Sequence, residues 1–253
     1  MNLFQPPPIT RFDLRFNFAG IPVRVHPLFW MIAILLGASS NNLVQILIWI
    51  VAVFVSILVH ELGHAFAFRR YGQPSSIILH VAGGLTVPES ISWGGSSANV
   101  GFSPNQNIFI SLAGPFAGFL LAGLIAAGVV LSGGSIYTSY LFGVIPLPVT
   151  AALPFGGNIL SSLVTSFLWI NVFWGLVNLA PVYPLDGGNV SRSLLLQTDP
   201  LNGVRKSLWL SVISGGLLAL AGYFVMGSLY MAFLFGLLAF QSFQILQAHT
   251  GRY

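Results

Sequence analysis

The chain has 253 residues, of which 55% are hydrophobic and only 6% charged, with a mean hydropathy of +0.86. A soluble domain carries about a quarter charged residues, so nine Lys plus Arg and five Asp plus Glu cannot cover a soluble surface of this size, though they suffice to mark the ends of membrane spans. A single Lys and no basic run exclude a nucleic-acid partner despite the net charge of +4, and the lack of cysteine excludes a disulfide scaffold, thiol chemistry and Cys-ligated metal.

Residues 1–25 read as an N-terminal arm. Phe12 to Phe18 alternates apolar and polar with period two, and Ile21 to Val25 does so again after Ala19-Gly20, the pattern of a β-hairpin. A cleaved signal peptide ending in Leu36-Gly37-Ala38-Ser39-Ser40 is the competing reading, and the patterned arm ahead of the apolar stretch argues against it. Residues 26–253 read as a membrane core of about six helices. The fold class is an all-α polytopic membrane protein with small membrane-associated β-hairpins, and the bilayer is its first partner. Segment 26–40 is short against the roughly 20 residues of a span, whereas 43–68 is long enough. A polar, Gly- and Ser-rich stretch covers 72–107, and within it Ile77 to Val87 reads as a hairpin with Gly83-Gly84 at its centre. A third span fits 108–132 and a fourth 160–182. Residues 133–160 are uncharged and contain Pro146, Pro148 and Pro154, and the last two spans fit 207–226 and 228–247.

The basic residues test this topology. Arg11, Arg15 and Arg24 precede the first span, Arg69 and Arg70 follow the second, Arg192, Arg205 and Lys206 lie between the fourth and fifth, and Arg252 follows the sixth. With a cytosolic N-terminus all of them fall on the cytosolic side, as the positive-inside rule requires. The expected location is the cell (inner) membrane, with both termini in the cytosol.

His60-Glu61-Leu62-Gly63-His64 in the second span is an H-E-x-x-H motif. Helical positions four apart lie on one face, so both imidazoles can hold one Zn²⁺, with Glu61 beside them to take a proton from water. An ionisable residue inside a span costs roughly 2.5–3.5 kcal/mol, and here three stand within one and a half turns. A polar helix–helix contact or a proton relay is the blander reading. Two histidines leave a protein ligand missing. Asp186, in Pro181-Val182-Tyr183-Pro184-Leu185-Asp186-Gly187-Gly188, is the best-placed remaining acid, because it follows the fourth span at the cytosolic end; it is equally suited to N-cap a helix starting near Asn189.

The His-Glu-Leu-Gly-His-Ala stretch at 60–65 and the Asn-Leu-Ala-Pro-Val-Tyr-Pro-Leu-Asp-Gly-Gly stretch at 178–188 resemble the site-2 protease family of intramembrane zinc metalloproteases. Gly83-Gly84-Leu85, Ser111-Leu112-Ala113-Gly114-Pro115 and Gly20-Ile21-Pro22-Val23 are similar to that family as well, so the resemblance covers nearly the whole chain. It implies a six-span core with one zinc per chain held by His60, His64 and Asp186, Glu61 as catalytic acid/base, and Asn178 as a substrate contact. Asn171, two turns before Asn178, suits polar packing. The implied activity is hydrolysis of a peptide bond in or near a transmembrane segment of a membrane protein substrate, as in regulated intramembrane proteolysis. Many members carry PDZ domains between the motifs or nucleotide-sensing domains at the C-terminus; 72–107 is too small for the former, and the chain is expected to be a minimal member.

A substrate helix must unwind before cleavage, because its scissile bonds are hidden in its own hydrogen bonds. A strand edge near the metal would hold the extended form by β-addition, and the 77–87 hairpin, with Gly83, Gly84 and Leu85 as candidate substrate-binding residues, is either that edge or a plug over the site. His80 is expected to be hydrogen-bonded or interfacial rather than a ligand, and His26 and His249 to be interfacial. Two non-proteolytic classes remain: an ion-binding transporter, disfavoured because spans three, five and six carry no charge within them, and a substrate-binding pseudoprotease, disfavoured because Glu61 and both histidines are present.

Overall fold

The structure, a computed structural model, describes residues 6–37, 42–89, 101–141 and 145–250. The Ser39-Ser40 end of the first apolar segment, residues 90–100 of the polar stretch and Arg252 lie outside the described residues. Packing divides the chain into two units, Met1–Asn99 with Ala113–Leu176, and Val100–Leu112 with Val177–Tyr253.

In the first unit the N-terminal arm forms β1 (Leu14–Phe18) and β2 (Ile21–Val25), paired antiparallel around a turn at Ala19 and Gly20, both with positive φ. Alternation along β2 buries Ile21, Val23 and Val25 and leaves β1 largely exposed. The Arg24 guanidinium holds the arm through Asp13 Oδ2 (3.0 Å) and the carbonyl of Pro7 (2.9 Å). Next comes α1 (Pro27–Gly37), an eleven-residue apolar helix. The second helix, α2 (Leu43–Arg70), begins where the Asn42 side chain accepts from the Val44 N–H and ends at Arg69-Arg70. Strands β3 (Ser75–His80) and β4 (Gly83–Pro88) follow as a hairpin. Its tight turn is Val81-Ala82, not Gly83-Gly84. The two glycines open β4 instead, because Gly84 lies against Glu61, where no side chain fits.

One connection carries no local sequence signal. β2 runs parallel to β3, pairing Val23 with Ile77 and Val25 with Leu79, so both hairpins join one sheet in the order β1-β2-β3-β4. Val25, Ile77 and Leu79 are fully buried against Phe29 and Ala33 of α1 and Ala52, Leu62 and Ala65 of α2. The Arg69 guanidinium donates to the Ala19 carbonyl (3.0 Å), tying the β1–β2 turn to the end of α2.

Helix α3 (Pro104–Leu131) starts at a capping box, in which Ser103 Oγ accepts from the Gln106 N–H and Gln106 Oε1 from the Ser103 N–H. After it, β5 (Ser135–Leu141) and β6 (Ile145–Ala152) form an antiparallel hairpin in a stretch that sequence reading left without structure. Helix α4 (Gly157–Asn178) contains a π-helical turn at Ile170–Trp174. There Asn171 Nδ2 donates to the Phe167 carbonyl (2.8 Å), the acceptor that an α-helical ladder assigns to the Asn171 N–H.

In the second unit, α5 (Asp186–Thr198) precedes α6 (Gly203–Phe224) and α7 (Leu229–Thr250). Gly215 lets α6 approach α7 closely at Ala239, the small-residue packing expected in lipid. Among the described residues, α2, α3, α4, α6 and α7 are long and apolar enough to cross a membrane. The chain is thus an all-α polytopic membrane protein with small β-hairpins.

Candidate active site

Helix α2 places His60 and His64 one turn apart with both rings on one side. Their Nε2 atoms lie 3.1 Å apart and the rings are nearly perpendicular, at 77°. Two nitrogens bound tetrahedrally at zinc distances of 2.0–2.1 Å lie about 3.3 Å apart, so the pair fits a Zn²⁺ ion. His64 and Glu61 are buried and His60 is half-buried. Two glycines create this geometry. Gly63 meets the Ala113 carbonyl and Ala117 Cβ of α3, while a Cβ on Gly114 would fall on the His64 ring and within 2.8 Å of His60 Nε2. Helix α3 therefore presses bare backbone against the two imidazoles. A glycine inside an apolar helix was the available signal for Gly114, which sequence reading used only as a family likeness.

Glu61 faces β4. Its Oε2 accepts a 2.6 Å hydrogen bond from Thr86 Oγ1, and a Cβ on Gly84 would collide with its carboxyl group. The first unit thus brings together His60, Glu61, His64 and Gly84 from the sequence-based candidates, together with Gly114 and Thr86, whose side-chain roles the sequence did not disclose. Gly83 and Leu85 flank Gly84 on β4, half-buried. One turn before His60, Ser56 Oγ accepts from the buried Asn171 Nδ2 at 2.8 Å, the packing role read from sequence.

His80 is buried on β3, and its Nδ1 accepts from the Ala82 N–H (3.4 Å). Burial, reinforced by the nearby Arg24 guanidinium, pushes its pKa down to about 4. His26, at the start of α1, is buried; its Nδ1 accepts from the Leu28 N–H while its main-chain N–H donates to the Leu79 carbonyl of β3. The side chain of His249 lies outside the described residues.

In the second unit, Asn178 is the last residue of α4 and Asp186 the first of α5, both half-buried. Leu185, not Asp186, occupies the cap position, and Asp186 stands in the first turn of α5. The segment between the two helices is held by its backbone. Tyr183 N–H donates to Ser211 Oγ (3.0 Å) of α6, and Ser242 Oγ of α7 donates to the Tyr183 carbonyl (3.3 Å). Gly187 and Gly188 pack directly on the backbone of Leu179 to Tyr183, leaving no room for side chains.

These elements define a polytopic helical membrane protein with an H-E-x-x-H pair packed beneath an edge strand. The model of peptidase family M50 matches residues 48–221, and the chain belongs to that family. It is 27% identical over 228 residues to zinc metalloprotease MJ0392 of Methanocaldococcus jannaschii, covering 86% of this chain and 58% of that protein. It is 29% identical to the putative zinc metalloprotease sll0528 of Synechocystis, covering 70% and 42% of the two chains, and 28% identical to the putative zinc metalloprotease Rip3 of Mycobacterium tuberculosis, covering 66% and 37%. The chain therefore spans about half the length of these relatives. The solved site-2 protease from Methanocaldococcus jannaschii shares the fold, with a TM-score of 0.52 over 93% of this chain and 95% of that one, at 22% identity.

Proposed function

We propose that this protein is an intramembrane zinc metalloprotease that hydrolyses a peptide bond in or near a transmembrane segment of a membrane protein substrate. The observation that carries the reading is the pair of imidazole Nε2 atoms held 3.1 Å apart with the buried Glu61 carboxylate on the intervening turn. Membership of peptidase family M50 and the zinc metalloprotease names of three relatives support it.

His60 and His64 would hold one zinc per chain, with Asp186 as third ligand. The acid's position in the Pro-Leu-Asp-Gly-Gly turn supports that choice. When bound, zinc lowers the pKa of water toward 7 and polarises the scissile carbonyl. Glu61 accepts the proton released by the attacking water and delivers it to the departing amide nitrogen. Asn178 donates its side-chain amide to the substrate backbone. Among the described residues β4 ends the sheet order, and an unwound substrate segment adds to its outer edge through main-chain hydrogen bonds, with Gly83, Gly84 and Leu85 in contact. Both termini lie in the cytosol, and the substrate is a transmembrane protein of the same membrane. The anchoring of the β1–β2 turn to the basic end of α2 through Arg69 supports this orientation, because it keeps the Arg-rich arm and Arg69-Arg70 on one side.

The test is cleavage of a single-span substrate by purified protein in detergent or liposomes, with a zinc chelator and with Glu61→Gln. Wild type should cleave, chelation should stop cleavage reversibly, and Glu61→Gln should keep zinc and lose turnover. Wild-type turnover by Glu61→Gln would overturn the reading.

A further inference from the structure

We infer that Thr86 is a positioning residue for the catalytic base, so that β4 orients the Glu61 carboxylate as well as offering its edge to substrate. The inference rests on the proposed role of Glu61 and extends it to a residue outside the metal site.

Three contacts carry it. Thr86 Oγ1 lies 2.6 Å from Glu61 Oε2 and 3.1 Å from the Glu61 main-chain carbonyl. A hydroxyl has one hydrogen, and the shorter, charge-assisted bond to the carboxylate takes it. Two residues earlier on the same face of the strand, Gly84 packs directly on the carboxyl group. The carboxylate is therefore held from β4 by a hydroxyl on one oxygen and by bare backbone beside the other. A glutamate has three rotatable side-chain bonds and would otherwise sample several rotamers. With Oε2 engaged, Oε1 is the oxygen left to receive the proton of water. The register of β4 fixes both contacts, since Thr86 pairs with Ile77 and Gly84 with Leu79, and both partners are fully buried. A shift by one residue would turn Thr86 to the opposite face and bring Leu85 or Val87 onto Glu61.

This role differs from substrate binding. Substrate added to the outer edge of β4 would pair through main-chain groups, which a change of the Thr86 side chain leaves in place. Loss of the hydroxyl should therefore lower kcat and leave KM unchanged.

The test compares Thr86→Val, an isosteric change without the donor, with Thr86→Ser, which keeps it, in steady-state cleavage of a single-span substrate, with zinc content measured on each preparation. Thr86→Val should retain zinc and KM and lose about 10- to 100-fold in kcat, the scale of a mispositioned catalytic group. Thr86→Ser should stay within about threefold of wild type. Equal loss in both variants, a change in KM with kcat preserved, or normal turnover in Thr86→Val would each overturn the inference. If Thr86→Val loses zinc or fails to fold, Thr86→Ala removes the same donor without adding a methyl group in its place and is judged by the same criteria. Unfolding of both while Thr86→Ser is stable would make the hydroxyl structural and overturn the inference as well. Glu61→Gln in the same assay separates the two readings. Turnover in that variant refutes Glu61 as base, whereas a dead Glu61→Gln beside a normal Thr86→Val refutes only the role of Thr86.

Discussion

Four glycines along α3 provide a graded test of how the His60–His64 pair is packed. A Cβ at Gly114 would overlap the His64 ring and approach His60 Nε2 to 2.8 Å, a Cβ at Gly118 would come to 3.3 Å from Asn171 Oδ1, and at Gly123 and Gly128 it would meet nothing within 4 Å. Replacing glycine by alanine in a helix gains about 0.5–1 kcal/mol when the site has room. Forcing an extra methyl group into a packed site costs about 1–3 kcal/mol, and at Gly114 the groups that must give are the rings of the two proposed zinc ligands, His60 and His64. Gly123→Ala and Gly128→Ala should therefore melt at or above the wild-type temperature with full zinc. Gly118→Ala should be near neutral, since a small shift of the Asn171 amide relieves the contact. Gly114→Ala should melt lower and bind zinc about 10- to 100-fold more weakly, the range seen when ligand orientation is disturbed. Thermal melting in detergent and metal analysis after dialysis against a graded chelator read both effects. Full zinc retention in Gly114→Ala with a melting temperature matching Gly123→Ala would refute the claim that bare backbone at this position sets the imidazole geometry.

Asp186→Ala should lower zinc content well below one per chain and abolish cleavage while leaving the helical content intact; full occupancy in that variant would reject Asp186 as ligand. The pKa of His80, about 4 in the fold against the ordinary 6.5 of an imidazole, is depressed, so the stability it contributes is complete above 6.5 and is lost as pH falls from there through about 4. Amide exchange in β2 and β3, corrected for the intrinsic rate, should accelerate between pH 7 and 5, and His80→Gln should flatten that dependence; an identical pH dependence in the variant would refute it.

The helices and the His60–Glu61–His64 arrangement were legible because both obey a local period. Apolar length marks a span, and four-residue spacing puts two imidazoles on one face whatever the rest of the chain does. The hairpin at 77–87 is legible as a hairpin, but the glycine pair points to a turn at Gly83-Gly84, whereas the turn is Val81-Ala82. At Gly84 glycine signals proximity instead: the strand needs no side chain because the Glu61 carboxyl occupies that space. Glycine at Gly114 carries the same message on α3. The β5–β6 hairpin escaped notice because Pro146 and Pro148 argue against a strand, and the register shift at Tyr137 and Thr138 has no sequence mark. The parallel pairing of Val23–Val25 with Ile77–Leu79 joins segments separated by the whole of α1 and α2, and no local pattern announces a partner that distant.

That non-local pairing ties the N-terminal arm to the setting of Glu61. The position of Glu61 depends on its own helix and on the register of β4, and among the described residues β3 is the strand that pairs with β4. β3 is in turn fixed on its other edge by β2, whose buried Ile21, Val23 and Val25 sit in the same apolar cluster as Leu62 and Ala65 of α2. The Arg69 contact to the Ala19 carbonyl closes the circuit back to the end of α2. The carboxylate is thus gripped between two elements that are anchored to each other twice, once through the sheet and its core and once through Arg69. A carboxylate on a free helical face would have needed only the H-E-x-x-H spacing; one held at a strand's hydroxyl needs the sheet as well, and the arm supplies half of its strands.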